Sequence, residues 1–202
     1  EEASEITVII PPAAVFSTGW LSLDVTEDRL VLLTTHSYEY DRLRDVATGI
    51  LSLLDKTPIS GLGINHEAHW SVASRFAYDR FGDALVPKEY WAERISLPGT
   101  QDLTVRGVRT DAWAGHVAVT VQPSSRLEQG IYARVNDHYM LKRVDRQPQS
   151  RDDFLRPEFH PAPIPPSEEA IPLALEILNE GWRDRLKFGS DLIWSLIKLS
   201  DS

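Results

Sequence analysis

The chain has 202 residues, 42% of them hydrophobic and 25% charged, which suits an ordinary folded domain with a sizeable core rather than a disordered segment. A net charge of −9, from 30 acidic against 21 basic residues, argues against nucleic acid as the partner, because affinity for phosphate backbones comes from neutralising them with Lys and Arg. The absence of cysteine removes disulfide frameworks, thiolate zinc sites and cysteine nucleophiles. No apolar run approaches the roughly 20 residues that a bilayer-spanning helix needs, and no basic-then-apolar leader opens the chain, so a cytoplasmic protein without membrane contact is expected.

Along the chain, "ITVII" (6–10) reads as a short strand closed by Pro11 and Pro12. "GWLSLDVTEDRLVLLTT" (19–35) reads as a hairpin with Glu27 and Asp28 at its turn. Its first arm alternates Leu21, Leu23 and Val25 with Ser22, Asp24 and Thr26. Its second arm is apolar on both faces, as in a central strand covered on both sides. From Ser37, a residue type that caps helix starts, Tyr40, Leu43, Ala47, Ile50 and Leu54 recur at helical spacing, and Pro58 follows the end. "ISGLGINHEAHWSV" (59–72) returns as a strand. "ASRFAYDRFGDAL" (73–85) shows a weaker helical pattern through Phe76, Ala77, Phe81 and Ala84.

Three further runs, 102–109, 115–122 and 130–141, lie close together and suggest an antiparallel meander. Residues 143–166 hold six prolines without periodicity and read as a linker or arm. Ser167 then opens a long helix presenting Leu175, Leu178, Trp182, Leu186, Gly189, Ile193 and Leu196, which Gly181 and Gly189 are placed to bend or split. The expected fold is therefore α+β, in the order β-β-β-α-β-α-β-β-β-α. A largely antiparallel sheet of about seven strands spans 1–142, and two principal helices cover it, the last (167–202) docking on the same domain.

The densest chemical signal is His66, Glu67 and His69. Strand parity puts His66 on one face with Ile64 and Ala68, and Glu67 with His69 on the other beside Asn65. Glu67 and His69 can share a divalent ion, yet they supply two ligands where a catalytic zinc takes three from protein, and His116 or His138 would have to complete the set. The spacing of the histidines is also one short of the helical His-Glu-x-x-His arrangement. A polar sheet face is the expected reading, with no metal or cofactor implied.

No Gly-x-Ser-x-Gly elbow, Walker loop or complete dinucleotide turn appears, and Glu89 with Glu93 reads as a solvated helix face. Trp194, with Leu192, Leu196 and Ile197 around it, makes an apolar helix surface wider than one sheet contact uses. It and the prolines at Pro163 and Pro165 are candidate partner-binding elements.

In its order of elements, "LVLLTT…YEYDRLRDVATGILSLLDK…ISGLGIN" followed by a late meander and a terminal helix around "LNEGWRDRLKFGSDLI", the chain resembles a sporadically distributed bacterial family of uncharacterised proteins. It is more loosely similar to SecB-type chaperones, which are antiparallel sheets with long helices. The first resemblance implies a bacterial origin and a place in a phage-defence or mobile-element complex. Neither implies catalytic residues. The expected function is a non-enzymatic module that binds another protein or a second copy of itself, with a metal-dependent hydrolase built on Glu67 and His69 as the alternative.

Overall fold

The computed structural model describes residues 5–10, 13–146, 148–154 and 166–201. Among these, eight strands form two antiparallel sheets of four, so the fold is α+β but the strands divide between two sheets instead of sharing one. The contacts group them into two compact units. One holds the described residues up to Thr57 together with Ser167–Glu180. The other holds the described residues from Pro58 to Pro166 and those from Gly181 onward.

The first unit is a meander of β1 (Glu5–Ile10), β2 (Ala13–Ser17), β3 (Ser22–Val25) and β4 (Leu30–Leu33), in sheet order β1-β2-β3-β4. Strand β2 is the one missed from sequence, because two prolines were read as closing the region and the chain resumes pairing directly after them. Thr18 makes the turn into β3, its backbone N–H donating to the Leu21 carbonyl and its Oγ1 accepting from the Leu21 N–H. Strand β4 is an edge strand and not a covered central one, and Leu30 and Leu33 are exposed on it.

Helix α1 (Tyr40–Leu53) starts three residues later than Ser37 suggested, after a 3-10 turn over Ser37–Glu39, and keeps its expected stripe half-buried up to Ile50. It packs on α5 (Ser167–Glu180), whose Ala170, Ile171, Ala174, Ile177 and Leu178 are buried. The Ser167 hydroxyl donates to the Lys56 carbonyl and ties the start of α5 to the chain leaving α1.

The second unit is built on β5 (Leu62–Ser71), β6 (Leu103–Val108), β7 (Trp113–Pro123) and β8 (Gly130–Arg143), in sheet order β5-β8-β7-β6. Helices α2 (Arg75–Leu85) and α6 (Trp182–Asp201) pack with this sheet around a core of Val72, Phe81, Val121, Ile131, Ala133, Val135 and Ile193. Ser74 caps α2 by accepting from the Ala77 N–H (3.1 Å). Of its expected stripe Ala77 and Phe81 make the contact, joined by Tyr78, while Phe76 is exposed. Two short helices, α3 (Glu89–Ala92) and α4 (Arg151–Phe154), complete the described elements.

The long C-terminal helix expected from sequence is interrupted at Gly181, which separates α5 from α6. Gly189 does not split α6, which runs through it. It lets the helix approach β5 so closely that a β-carbon there would overlap the His66 ring. Farther along, Trp70 Nε1 donates to Ser200 Oγ (3.0 Å) and fixes the end of α6 on the same strand.

Beyond Val108, Arg109 is 1% exposed and its guanidinium is the hub of the second unit. It donates to Asp111 through Nε (3.0 Å) and Nη2 and to Asp137 on β8 through Nη1, with its Cζ 3.5 Å above the Tyr139 ring. Arg185 on α6 completes the cluster, 3.6 Å from Asp111 and 3.7 Å from Asp137 Oδ2, an oxygen that accepts no hydrogen bond among the described residues. Burial raises the Asp137 carboxyl above its ordinary value despite the two guanidinium groups. At Asp111 burial also pushes upward, but the hydrogen bond and charge of Arg109 more than reverse it.

Gly189→Ala forces a methyl group into the His66 ring and is expected to cost about 1–3 kcal/mol in urea unfolding. In combination with His66→Ala the two costs are expected to be strongly non-additive, since the smaller side chain removes the clash.

Candidate functional site

Two surfaces of the second unit carry chemistry. The first is the face of the sheet that α2 and α6 leave open. Register places Gly63, His138 and His116 in one row across β5, β8 and β7, then Asn65, Asn136, Ala118 and Arg106, then Glu67, Arg134, Thr120 and Thr104, then His69, Tyr132 and Gln122. The strand parity read from sequence therefore holds. His66 points into the core side against Gly189, while Glu67 and His69 share the open face.

Several of the polar groups on that face are engaged by neighbours. Ser124 Oγ accepts the backbone N–H groups of Arg126 (3.1 Å) and Leu127 (3.0 Å), so its own proton goes to His69 Nδ1 at 2.9 Å. Arg106 Nη2 donates to His116 Nδ1 (3.0 Å), and the His116 and His138 rings lie 4.8 Å apart. Both His69 and His116 are thereby held neutral with the proton on Nε2 and no free lone pair. Glu67 accepts the Tyr132 hydroxyl and faces Arg134 at 3.6 Å.

Burial, reinforced by Arg106, by the neighbouring His138 and by Arg109, lowers His116 to about 4; burial first and the same two arginines lower His138, and burial lowers His66. Among the described residues no three of His, Asp or Glu converge to hold a metal ion. The triplet that stood out in the sequence is thus split between two faces.

The second surface is a loop and the cleft beside it. Lys88 Nζ donates to the carbonyls of Gly82 and Val86 and to Thr100 Oγ1 (2.6 Å), and Thr100 Oγ1 donates to Gly82 O (3.3 Å). These bonds pin both ends of residues 88–100 to the end of α2, as in a compact surface loop closed at its base. Between the pins Tyr90, Trp91, Ile95 and Leu97 are all exposed, Leu97 at 95%. Leu97 also has φ 51°, the left-handed region that a branched apolar residue avoids. Arg94 stacks on Tyr90, its Cζ 3.9 Å from the ring, and pairs with Glu93. Glu89 opens α3 and Glu93 is its C-cap residue, still in helical backbone; both are exposed, so the expected solvated face is present but only one turn long. Alongside lies a cleft of about 840 Å³ whose walls include Tyr78, Phe81, Leu85, Val121, Ile131 and Leu97.

Of the partner-binding residues expected from sequence, Leu192, Leu196 and Ile197 are packed against the core of the second unit, so they serve the helix's own docking. Trp194 is 60% exposed on the outer side of α6. Pro163 and Pro165 lie outside the described residues. The one sequence signal for the pinned loop is that "EYWAERISL" carries four large apolar residues in nine positions with no strand or helix period to bury them. No described helix is long and apolar enough to cross a membrane. Comparison of the chain with family models, curated proteins and solved structures finds no match.

Protonating the lowered histidines favours the unfolded chain, which binds protons near 6.5 while folded His116 waits until about 4. The stability that neutral His116 contributes is therefore fully present above pH 6.5 and lost as pH falls from there to about 4. Thermal unfolding across that window is expected to show a shallower decline for His116→Gln than for the parent chain.

Proposed function

We propose that this chain is a non-enzymatic protein-interaction module of a bacterial cytoplasmic assembly, docking a partner chain through the loop at 88–100 and the cleft beside it. The observation that carries the reading is the display of Tyr90, Trp91, Ile95 and Leu97 on a loop anchored at both ends. Contiguous exposed apolar side chains are uncommon on a protein with no partner, and large aromatics are the residues that anchor interfaces. Anchoring through Lys88 and Thr100 lowers the ordering cost of binding, because the loop is already shaped before the partner arrives. The left-handed backbone at Leu97 fits the same purpose, since it holds an isobutyl group out in water where the fold itself gains nothing from it.

The occupant that fits is an apolar segment of another protein, with one or two side chains filling the cleft. A hydrolase built on Glu67 and His69 draws no support from a site in which Ser124 occupies the histidine nitrogen and Arg134 faces the carboxylate.

When the tagged chain is expressed in its native host, a stoichiometric partner is expected to co-purify. Trp91→Ala and Leu97→Glu are each expected to weaken that complex at least tenfold while leaving thermal unfolding unchanged, the range seen for anchors at protein interfaces. A complex that survives both substitutions would place the docking site elsewhere.

A further inference from the structure

Beyond the loop, β6 offers a second and independent surface. It is an edge strand of the second sheet, and Thr104, Val105, Arg106 and Gly107 are all exposed, with Val105 at 59%. Among the described residues no backbone group outside β7 pairs with it. Natural edge strands are usually blunted by proline, lysine, a bulge or a covering element. Strand β6 has neither proline nor lysine within Leu103–Val108, its one charge is Arg106, its pairing with β7 runs without a register shift, and among the described residues no element pairs with its outer edge.

We infer that β6 is a homodimer interface, joining the β6 strand of a second copy in antiparallel register about a two-fold axis at Thr104. The sequence "DLTVRGV" (102–108) is complementary to itself in that register alone. With Thr104 facing its counterpart, Asp102 of each copy lies opposite Arg106 of the other, and Leu103 lies opposite Val105. Residues directly opposite in an antiparallel pair share a face, so the two charge pairs fall on the open polar face and the two apolar pairs on the helix-covered face. The charge pattern decides between a second copy and an unrelated strand. Asp102 has no ion-pair partner among the described residues, and the acid and base it needs stand four positions apart on the same strand, as a two-fold axis requires. The result is one continuous eight-stranded sheet, with Val105 removed from water in both copies.

Light scattering coupled to size-exclusion chromatography at low salt is expected to give twice the mass of one chain. Asp102→Arg and Arg106→Asp, each alone, place like charges opposite one another twice per dimer and are expected to raise the dissociation constant about tenfold or more. An equimolar mixture of the two variants restores both opposite-charge pairs and is expected to recover the dimer as a heterodimer, a result that misfolded variants could not give. A monomeric parent chain, a dimer indifferent to both single substitutions, or a mixture that stays monomeric overturns the inference.

Discussion

A guanidinium group shut away from water fixes more of the second unit than any apolar contact does. Moving a charge out of water costs several kcal/mol unless opposite charge and hydrogen bonds meet it. Burying Arg109 therefore commits Asp111 beside it, Asp137 on β8 two strands over from β6 and, through those carboxylates, Arg185 on α6. Apolar packing tolerates small slides of a helix over a sheet. A cluster of two bases and two acids does not, because a shift of one residue leaves an ion uncompensated. The close approach of Gly189 to His66 and the bond from Trp70 to Ser200 lie farther along the same helix and inherit the register set at Arg185.

With one face of the sheet given to helices, the other carries hydrogen-bonding groups that satisfy one another across the strands. This explains how so many histidines occur without a metal-like arrangement. Ser124 and Arg106 commit the nitrogens of His69 and His116, and partial burial keeps the imidazoles uncharged. The apolar surface that the sheet does not use appears instead on the loop pinned by Lys88, whose ammonium meets two carbonyls, a hydroxyl and the carboxylate of Asp83 (3.4 Å). A lysine so placed acts as a clasp.

Much of the fold was legible because period alone carries it. The alternation through β5 and β7 and the stripe at Gly189, Ile193 and Leu196 appear in the structure where the sequence puts them. What period cannot show is which strand lies at an edge, and so the apolar run of β4 passed for a central strand. Pro11 and Pro12 hid β2 for a different reason, since proline forbids a ladder bond at its own position without forbidding a strand at the next residue. The site was less legible. Tertiary bonds between Lys88 and Thr100, eleven residues of intervening chain apart, close "KEYWAERISLPGT" into a displayed loop in which the helix suggested by "KEYWAER" is a single turn. The burial of Arg109 was equally silent, because "RGVRTDAW" contains two arginines and only the fold tells them apart.

The chain leaves the first unit at Thr57 and returns to it for Ser167–Glu180 before entering the second unit again at Gly181. Neither unit is contiguous along the polypeptide. During synthesis the opening meander and α1 emerge more than a hundred residues ahead of the helix that covers them, and the second sheet is finished before α6 brings Arg185 to its carboxylates. Both halves therefore keep apolar surface uncovered until the segment 167–201 is made, and they complete their cores almost together as it appears. Translation order thus couples the maturation of two units that spatial contacts divide.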